Sequence, residues 1–232
     1  MDQNSLARPQ AQVSESSFIS GVYLWMALGL LLSAGASFWL MSQPALLKAV
    51  FTNSWLFFGL IIAEFAMVIW LSAAALKMNE ALVTILFCGY SFLNGVTLTS
   101  IFIIYTGVSV LTTFAVTAGT FFFFSLYGLT TKKDLTSIGS LAMMGLFGVI
   151  IASVVNIWLK SPAVMWVMTF VGIAVFLGLI AYDTQKLKRI HAMGADTPEI
   201  QRRAAILGAL TLYLDFINLF LLLLRVFGRR RN

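Results

Sequence analysis

The sequence predicts an all-α integral membrane protein of seven transmembrane helices. Of its 232 residues, 60% are hydrophobic and only 10% charged, where soluble domains carry about a quarter of charged residues. Mean hydropathy is +0.93. The few charges also divide the chain into apolar runs, each long enough for the ~20 residues that cross a bilayer as a helix. These runs are too long and too continuous for the alternating ~10-residue strands of an outer-membrane barrel.

The first span is about Phe18 to Met41, after a polar tail over residues 1–17. It is too long for a signal-peptide core, and no Lys or Arg cluster precedes it, so it reads as uncleaved. Ala49 to Leu76 carries one charge, Glu64, and gives the second span. Ala81 to Thr131 is free of charge and long enough for two helices, joined by a tight turn near Tyr105, Thr106 and Gly107. Leu135 to Leu159 and Ser161 to Tyr182 give the fifth and sixth. The seventh runs from Ala204 to Leu224 around a single charge, Asp215. Residues 18–228 thus form one membrane domain, followed by a basic tail over 229–232. A loop of about 17 residues around His191 separates the last two spans, and no room remains for a soluble catalytic domain. Trp25, Trp39, Trp55, Trp70, Trp158 and Trp166 all fall near predicted helix ends, where amphipathic rings prefer the headgroup region.

Cytoplasmic loops are enriched in Lys and Arg. With the N-terminus inside, Arg8, Lys77, Lys132, Lys133, Lys186, Lys188, Arg189, Arg202 and Arg203 are cytoplasmic, against Lys48 and Lys160 opposite. The exception is the tail, because a complete seventh crossing puts Arg225, Arg229, Arg230 and Arg231 outside. The alternative is a re-entrant last segment, which needs shielding of its backbone.

The net charge of +6 does not point to nucleic acid, since the positive residues sit at helix ends rather than on one basic face; anionic lipid accounts for them. The single cysteine, Cys88, excludes a disulfide framework or cysteine metal site and reads as a small core residue. His191, also alone, reads as solvated in its loop and cannot build a zinc site. Small residues four apart, Ala115/Gly119, Gly148/Ala152, Ala174/Gly178 and Ala204/Gly208, describe close helix packing.

The informative residues are acids in apolar surroundings. Asp2, Glu15, Glu80, Asp134, Asp196 and Glu199 lie in tails, loops or span edges, which leaves Glu64, Asp183 and Asp215. A charge at mid-bilayer costs on the order of 2.5 to 3.5 kcal/mol, so such residues face a cavity, a partner or an ion path. Each also has a structural alternative. Asp183 is placed to pair with Lys186 three residues on. Asp215 has Asn218 and Thr211 within a turn. Glu64, near the middle of its span, has polar company only in other spans and could be a protonated packing residue.

Ala181-Tyr182-Asp183-Thr184-Gln185-Lys186-Leu187-Lys188 and Leu210-Thr211-Leu212-Tyr213-Leu214-Asp215-Phe216-Ile217-Asn218-Leu219-Phe220, with Leu224-Arg225, resemble the Bax inhibitor-1 family, especially its bacterial inner-membrane members. The resemblance covers nearly the whole chain, including the Thr131-Lys132-Lys133-Asp134 turn and the Asn156-Ile157-Trp158-Leu159-Lys160 corner. It implies a seven-helix bundle with the last helix surrounded by the other six. The implied activity is a pH-sensitive calcium leak in the bacterial inner membrane, with no catalysis and no cofactor. Asp183 and Asp215 match the family's proton-sharing latch near the cytoplasmic mouth. Glu64 matches an acid on its ion path.

Such a pair has its own physical logic. Two carboxylates ~4 Å apart repel by roughly 4 kcal/mol at an effective dielectric of about 20, a penalty that a shared proton removes. The pair then titrates as a unit rather than as two independent acids. Without the proton it suits calcium, which prefers carboxylate and carbonyl oxygens, so proton and calcium compete for Asp183 and Asp215. One spacing resists contact. Along helices rising ~1.5 Å per residue, Asp183 lies about 9 Å from Arg189, whereas Asp215 lies about 18 Å from Arg203.

Other classes are distinguishable. Intramembrane aspartyl proteases also pair two acids on adjacent helices, but they carry Gly-x-Gly-Asp at the second, where this chain has Leu212-Tyr213-Leu214-Asp215. Their Pro-Ala-Leu element occurs here only as Pro44-Ala45-Leu46, far too early. His191 lies outside the spans and cannot activate Ser91, Ser100, Ser125 or Ser153. A proton-coupled transporter fits the acids, although Gly/Pro-broken helices in matching halves are absent. The resemblance also allows a non-transporting regulator whose partner is a membrane quality-control protease.

Overall fold

The computed structural model describes residues 14–192 and 197–231. The described residues form eight α-helices: α1 (Glu15–Met41), α2 (Pro44–Thr52), α3 (Ser54–Ala74), α4 (Glu80–Ile104), α5 (Gly107–Thr130), α6 (Thr136–Leu159), α7 (Pro162–Ala192) and α8 (Pro198–Phe227). A 3-10 turn, Ala75–Lys77, follows α3. All but α2 are long and apolar enough to cross a membrane, and the fold is an all-α membrane bundle.

Side chains that accept from first-turn amides start most helices where the apolar runs begin. Ser14 caps α1, Asn79 caps α4, Thr106 caps α5 and Thr197 caps α8, each satisfying an amide that the helix itself leaves without a partner. Lys160 ends α6 in the left-handed conformation at φ 49°. Asn156 Oδ1 then accepts from the Ser161 amide at 3.0 Å, and Pro162 opens α7.

Three boundaries differ from the sequence reading. The second span begins at Ser54 rather than Ala49, because Pro44 starts a separate short helix and Asn53, in extended backbone, caps a new one with its side chain on the Trp55 and Leu56 amides. The sixth helix runs ten residues past Tyr182, and the seventh begins six residues before Ala204. Helix therefore takes up much of the predicted 17-residue loop, whose residues 193–196 lie outside the described residues. Charge marked where the apolar run ends, but Lys and Arg are good helix formers and the helices continue through them.

α8 is the central helix. Of its most apolar stretch 67% is buried, against 6% to 44% for the other six spans. α1, α4, α5 and α7 pack around it, while α3 packs chiefly on α4 and α6 on α7. Many large apolar side chains of α3 and α6, among them Ile62, Phe65, Leu141 and Phe147, face outward, which is the surface a bilayer solvates. Trp39, Trp55, Trp70, Trp158 and Trp166 are exposed at helix ends. Trp25 instead packs edge-on against Phe87, 6.1 Å between centroids. Of the small-residue pairs, Gly208 receives Leu187 and Gly178 receives Ala142, but Gly119 and Gly148 face open space.

Long-range contacts define two ends. At the near end Lys188 reaches Glu15, Arg189 pairs with Asp134 and Arg202 with Glu80. At the far end the chain's tail lies against the α4–α5 turn: the Thr106 amide donates to the Arg229 carbonyl at 3.1 Å, and the Arg231 amide to that of Ile104 at 2.9 Å. α8 is one unbroken helix, long and apolar enough to cross a membrane, and it does not turn back as the re-entrant alternative requires. Its terminal arginines lie at the end opposite the α1 start.

Candidate functional site

α7 and α8 run antiparallel with Leu187 seated over Gly208 and Leu222 over Gly172. In that register Asp183 and Asp215 fall within about one turn of each other, and their carboxyl groups come within hydrogen-bonding reach. The register also answers the depth objection. α7's last residue is level with about residue 203 of α8, so α8 starts about 8 Å beyond the end of α7 at a ~1.5 Å rise, and counting from Arg203 overstates the mismatch.

Asp215 is buried at 5% exposure, and its Oδ2 has no hydrogen-bond partner. Asp183 is half-buried. Among the described residues neither forms a salt bridge. The structural alternatives have gone elsewhere. Asn218 Nδ2 donates to the Leu214 carbonyl at 2.8 Å and Thr211 Oγ1 to that of Leu207 at 3.2 Å, while Lys186 is exposed. Two ionised carboxylates are acceptors only, so their close approach without a cation is favourable when a proton lies between them.

A cleft of about 160 Å³ between α7, α8 and the 3-10 turn reaches Asp183 from the near end. Asp183, Lys186 and Thr211 line it, with an apolar remainder that includes Leu76 and Leu207. On the opposite side of α8 a cavity of about 80 Å³ opens in the far half, lined by Phe114 and Phe220 with Ser33 and Ser37 as its hydroxyls.

Glu64 is not with the aspartates. It sits on α3 across the bundle, accepting from Asn94 Nδ2 at 3.1 Å and Thr97 Oγ1 at 2.9 Å. Behind it the Tyr213 hydroxyl donates to Asn94 Oδ1 at 2.8 Å and lies 2.7 Å from Ser33 Oγ. Ser33 in turn donates to the Ser91 carbonyl at 2.7 Å. This chain of side chains, from half-buried Glu64 to fully buried Tyr213, escaped the sequence reading. Its one signal was polar residues inside apolar spans, which are too common to single out any partner.

His191 also differs from expectation. It lies on α7, half-buried, stacked on Phe18 at 5.4 Å between centroids, because helix continues through the charged segment that predicts a loop. Cys88 is half-buried in α4 without a disulfide. Among the described residues no three of His, Cys, Asp and Glu group as a metal site, so an ion held by Asp183 and Asp215 would complete its coordination with carbonyl or water oxygens.

Residues 15–232 match the family profile described as "Inhibitor of apoptosis-promoting Bax1". The chain is 50% identical over 230 residues to inner membrane protein YbhL of Escherichia coli K12, covering 98% of this chain and 97% of that protein. It is 44% identical over 218 residues to a protein of Borreliella burgdorferi, covering 94% of each. Identity to protein RP147 of Rickettsia prowazekii is 42% over 213 residues, 91% of this chain and 89% of that one.

Proposed function

The chain belongs to the Bax inhibitor-1 family, and we propose that it is a pH-sensitive calcium leak gated by the Asp183–Asp215 pair. The observation that carries the reading is that pair: two carboxyl groups meet in the bundle interior with no cationic side chain among the described residues bonded to either. A mid-membrane acid is costly, and two that meet each other rather than a cation point to a role other than stability.

With one proton the pair carries a single negative charge and its hydrogen bond ties α7 to α8. Losing the proton leaves two negative charges at the end of a cleft. That arrangement either pushes the helices apart or takes up a divalent cation whose charge matches. Protonation therefore weakens calcium binding, because neutral carboxyls are poor ligands. Glu64 serves as a second acid along the route. The E. coli relative, named an inner membrane protein, supports the same location here, with the N-terminus cytoplasmic by the distribution of Lys and Arg.

The test is calcium efflux from proteoliposomes containing the whole chain. Leak should vary with pH in the parent protein and lose that dependence in Asp183→Asn and Asp215→Asn. A leak whose pH profile is identical in both variants and the parent removes the gate.

A further inference from the structure

The two faces of α7 near Asp183 are fastened differently. Toward α8, the aspartates are flanked by apolar packing such as Leu187 on Gly208. On the other side, four of the next six residues bond to α5 or to the turn leading into α6. Thr184 Oγ1 lies 3.1 Å from Ser125 Oγ, which is also bonded to the Tyr23 hydroxyl. Lys188 Nζ donates to the Leu129 carbonyl at 2.9 Å. Arg189 donates to Asp134 Oδ1 at 2.5 Å and Thr136 Oγ1 at 2.9 Å.

Gln185 is at the centre of this set, and at 8% exposure it is buried. Its Oε1 accepts from the Leu135 amide at 2.9 Å and from Arg189 at 2.9 Å, while its Nε2 donates to the Lys133 carbonyl at 2.8 Å. Only a side chain with both a donor and an acceptor satisfies that turn. Two residues after Asp183, it projects about 200° around the helix, at 3.6 residues per turn, and so faces the turn while Asp183 faces α8.

We infer that Gln185 is the positioning residue of the aspartate pair: it fixes the rotation and height of α7, and so sets how closely the two carboxyls approach. Arg189 and Asp134 extend the same chain of bonds to the surface. A firmly held pair keeps its shared proton, and a loosened pair releases it more readily because the repulsion it relieves is smaller. The charged side chain that acts on the pair is Lys186 of α7; Lys188 and Arg189, farther along the same helix, bond to α5 and the α5–α6 turn, and Glu15, Glu80 and Asp134 are engaged in ion pairs at the near end. α5 offers the uncharged Ser125. Replacing Gln185 by Leu adds and removes no charge; Arg189 loses one bond but keeps those to Asp134 and Thr136.

The consequence for flux rests on the calcium-leak reading, whereas the consequence for protonation does not. The experiment is infrared titration of the full-length protein in liposomes, following the protonated-carboxyl C=O band that disappears in Asp183→Asn and Asp215→Asn, with calcium efflux measured in parallel. Gln185→Leu should move the band's midpoint toward acid by about one pH unit or more, a tenfold change in proton affinity. Asp134→Asn, at an exposed site, should move it the same way by less. A midpoint unmoved in Gln185→Leu overturns the inference, even if that variant is less stable. If Gln185→Leu does not fold, an unmoved Asp134→Asn overturns it. A moved midpoint in a protein that passes no calcium supports positioning and sinks the calcium reading. An unmoved midpoint with pH-dependent efflux does the reverse.

Discussion

Tyr213 and Asp215 stand two residues apart on α8 and face opposite sides of it. Tyr213, fully buried, joins Ser33 of α1 to Asn94 of α4, while Asp215 meets Asp183 of α7. Two residues advance a helix by about 200°, so one turn of the central helix carries two separate polar contacts at nearly the same depth. One reaches toward Glu64 and the other toward the near-end cleft.

Replacing Tyr213 by Phe keeps the ring and removes the hydroxyl. Asn94 Oδ1 loses its donor in a buried site, a loss of about 1 to 3 kcal/mol. Thermal unfolding in detergent should shift down accordingly, while the pH midpoint of calcium efflux stays put because Asp215 is on the other side. An unchanged unfolding temperature contradicts the structural role assigned to the hydroxyl.

The aspartates predict the opposite trade. Asp215→Leu removes a buried carboxyl whose Oδ2 has no partner. The variant should unfold at higher temperature, with a stability gain of at most about 2.5 to 3.5 kcal/mol, the full mid-membrane penalty, yet lose pH-dependent efflux. A less stable Asp215→Leu variant means that the carboxyl holds the bundle together.

Lys186 lines the same cleft as Asp183 without forming an ion pair with it. An ammonium at the approach to two carboxyls repels an arriving divalent cation. Lys186→Gln should lower the calcium concentration for half-maximal efflux several-fold, most at low ionic strength, where charge interactions reach farthest. Equal half-maximal concentrations at low salt would show that Lys186 lies off the path.

Helix packing gives a paired comparison. A Cβ on Gly128 runs into the Ala181 backbone and Thr184, one or two residues from Asp183, whereas a Cβ on Gly119 of the same helix meets nothing. Gly128→Ala should cost about 1 to 3 kcal/mol as overpacking and disturb the pH profile; Gly119→Ala should do neither. Equal behaviour of the two in unfolding and efflux contradicts the α5–α7 packing.

At the near-end surface, hydrogen bonds from Thr136 and then the Arg189 guanidinium hold the Asp134 carboxyl well below the usual carboxylate range. A depressed folded value means that the contact's stabilisation is present above the unfolded carboxylate range and is lost as pH falls through the lower, folded value. Asp134 therefore stays ionised across the neutral range. Efflux from Asp134→Asn should remain pH-dependent, with at most a displaced midpoint. A flat profile would make Asp134 the sensor.

Apolar runs and the placement of charge were enough to establish the class, the seven helices able to cross a membrane and the three acids in apolar spans, because each follows from the cost of placing one residue type in hydrocarbon, a cost that needs no knowledge of neighbours. The α7 and α8 boundaries were less legible, since charge marks the edge of an apolar run and not the end of a helix. Tertiary structure alone decided which acids meet. Asp183 and Asp215 come together through a register set by Leu187 on Gly208 and Leu222 on Gly172, whereas Glu64, equally buried by hydropathy, faces Asn94 and Thr97 instead. The end of the bundle that α8 reaches was decided in the same way, by the backbone contacts of residues 229–231 with the α4–α5 turn. Contacts between distant segments depend on how side chains interlock across helices, and no local apolar count contains that information.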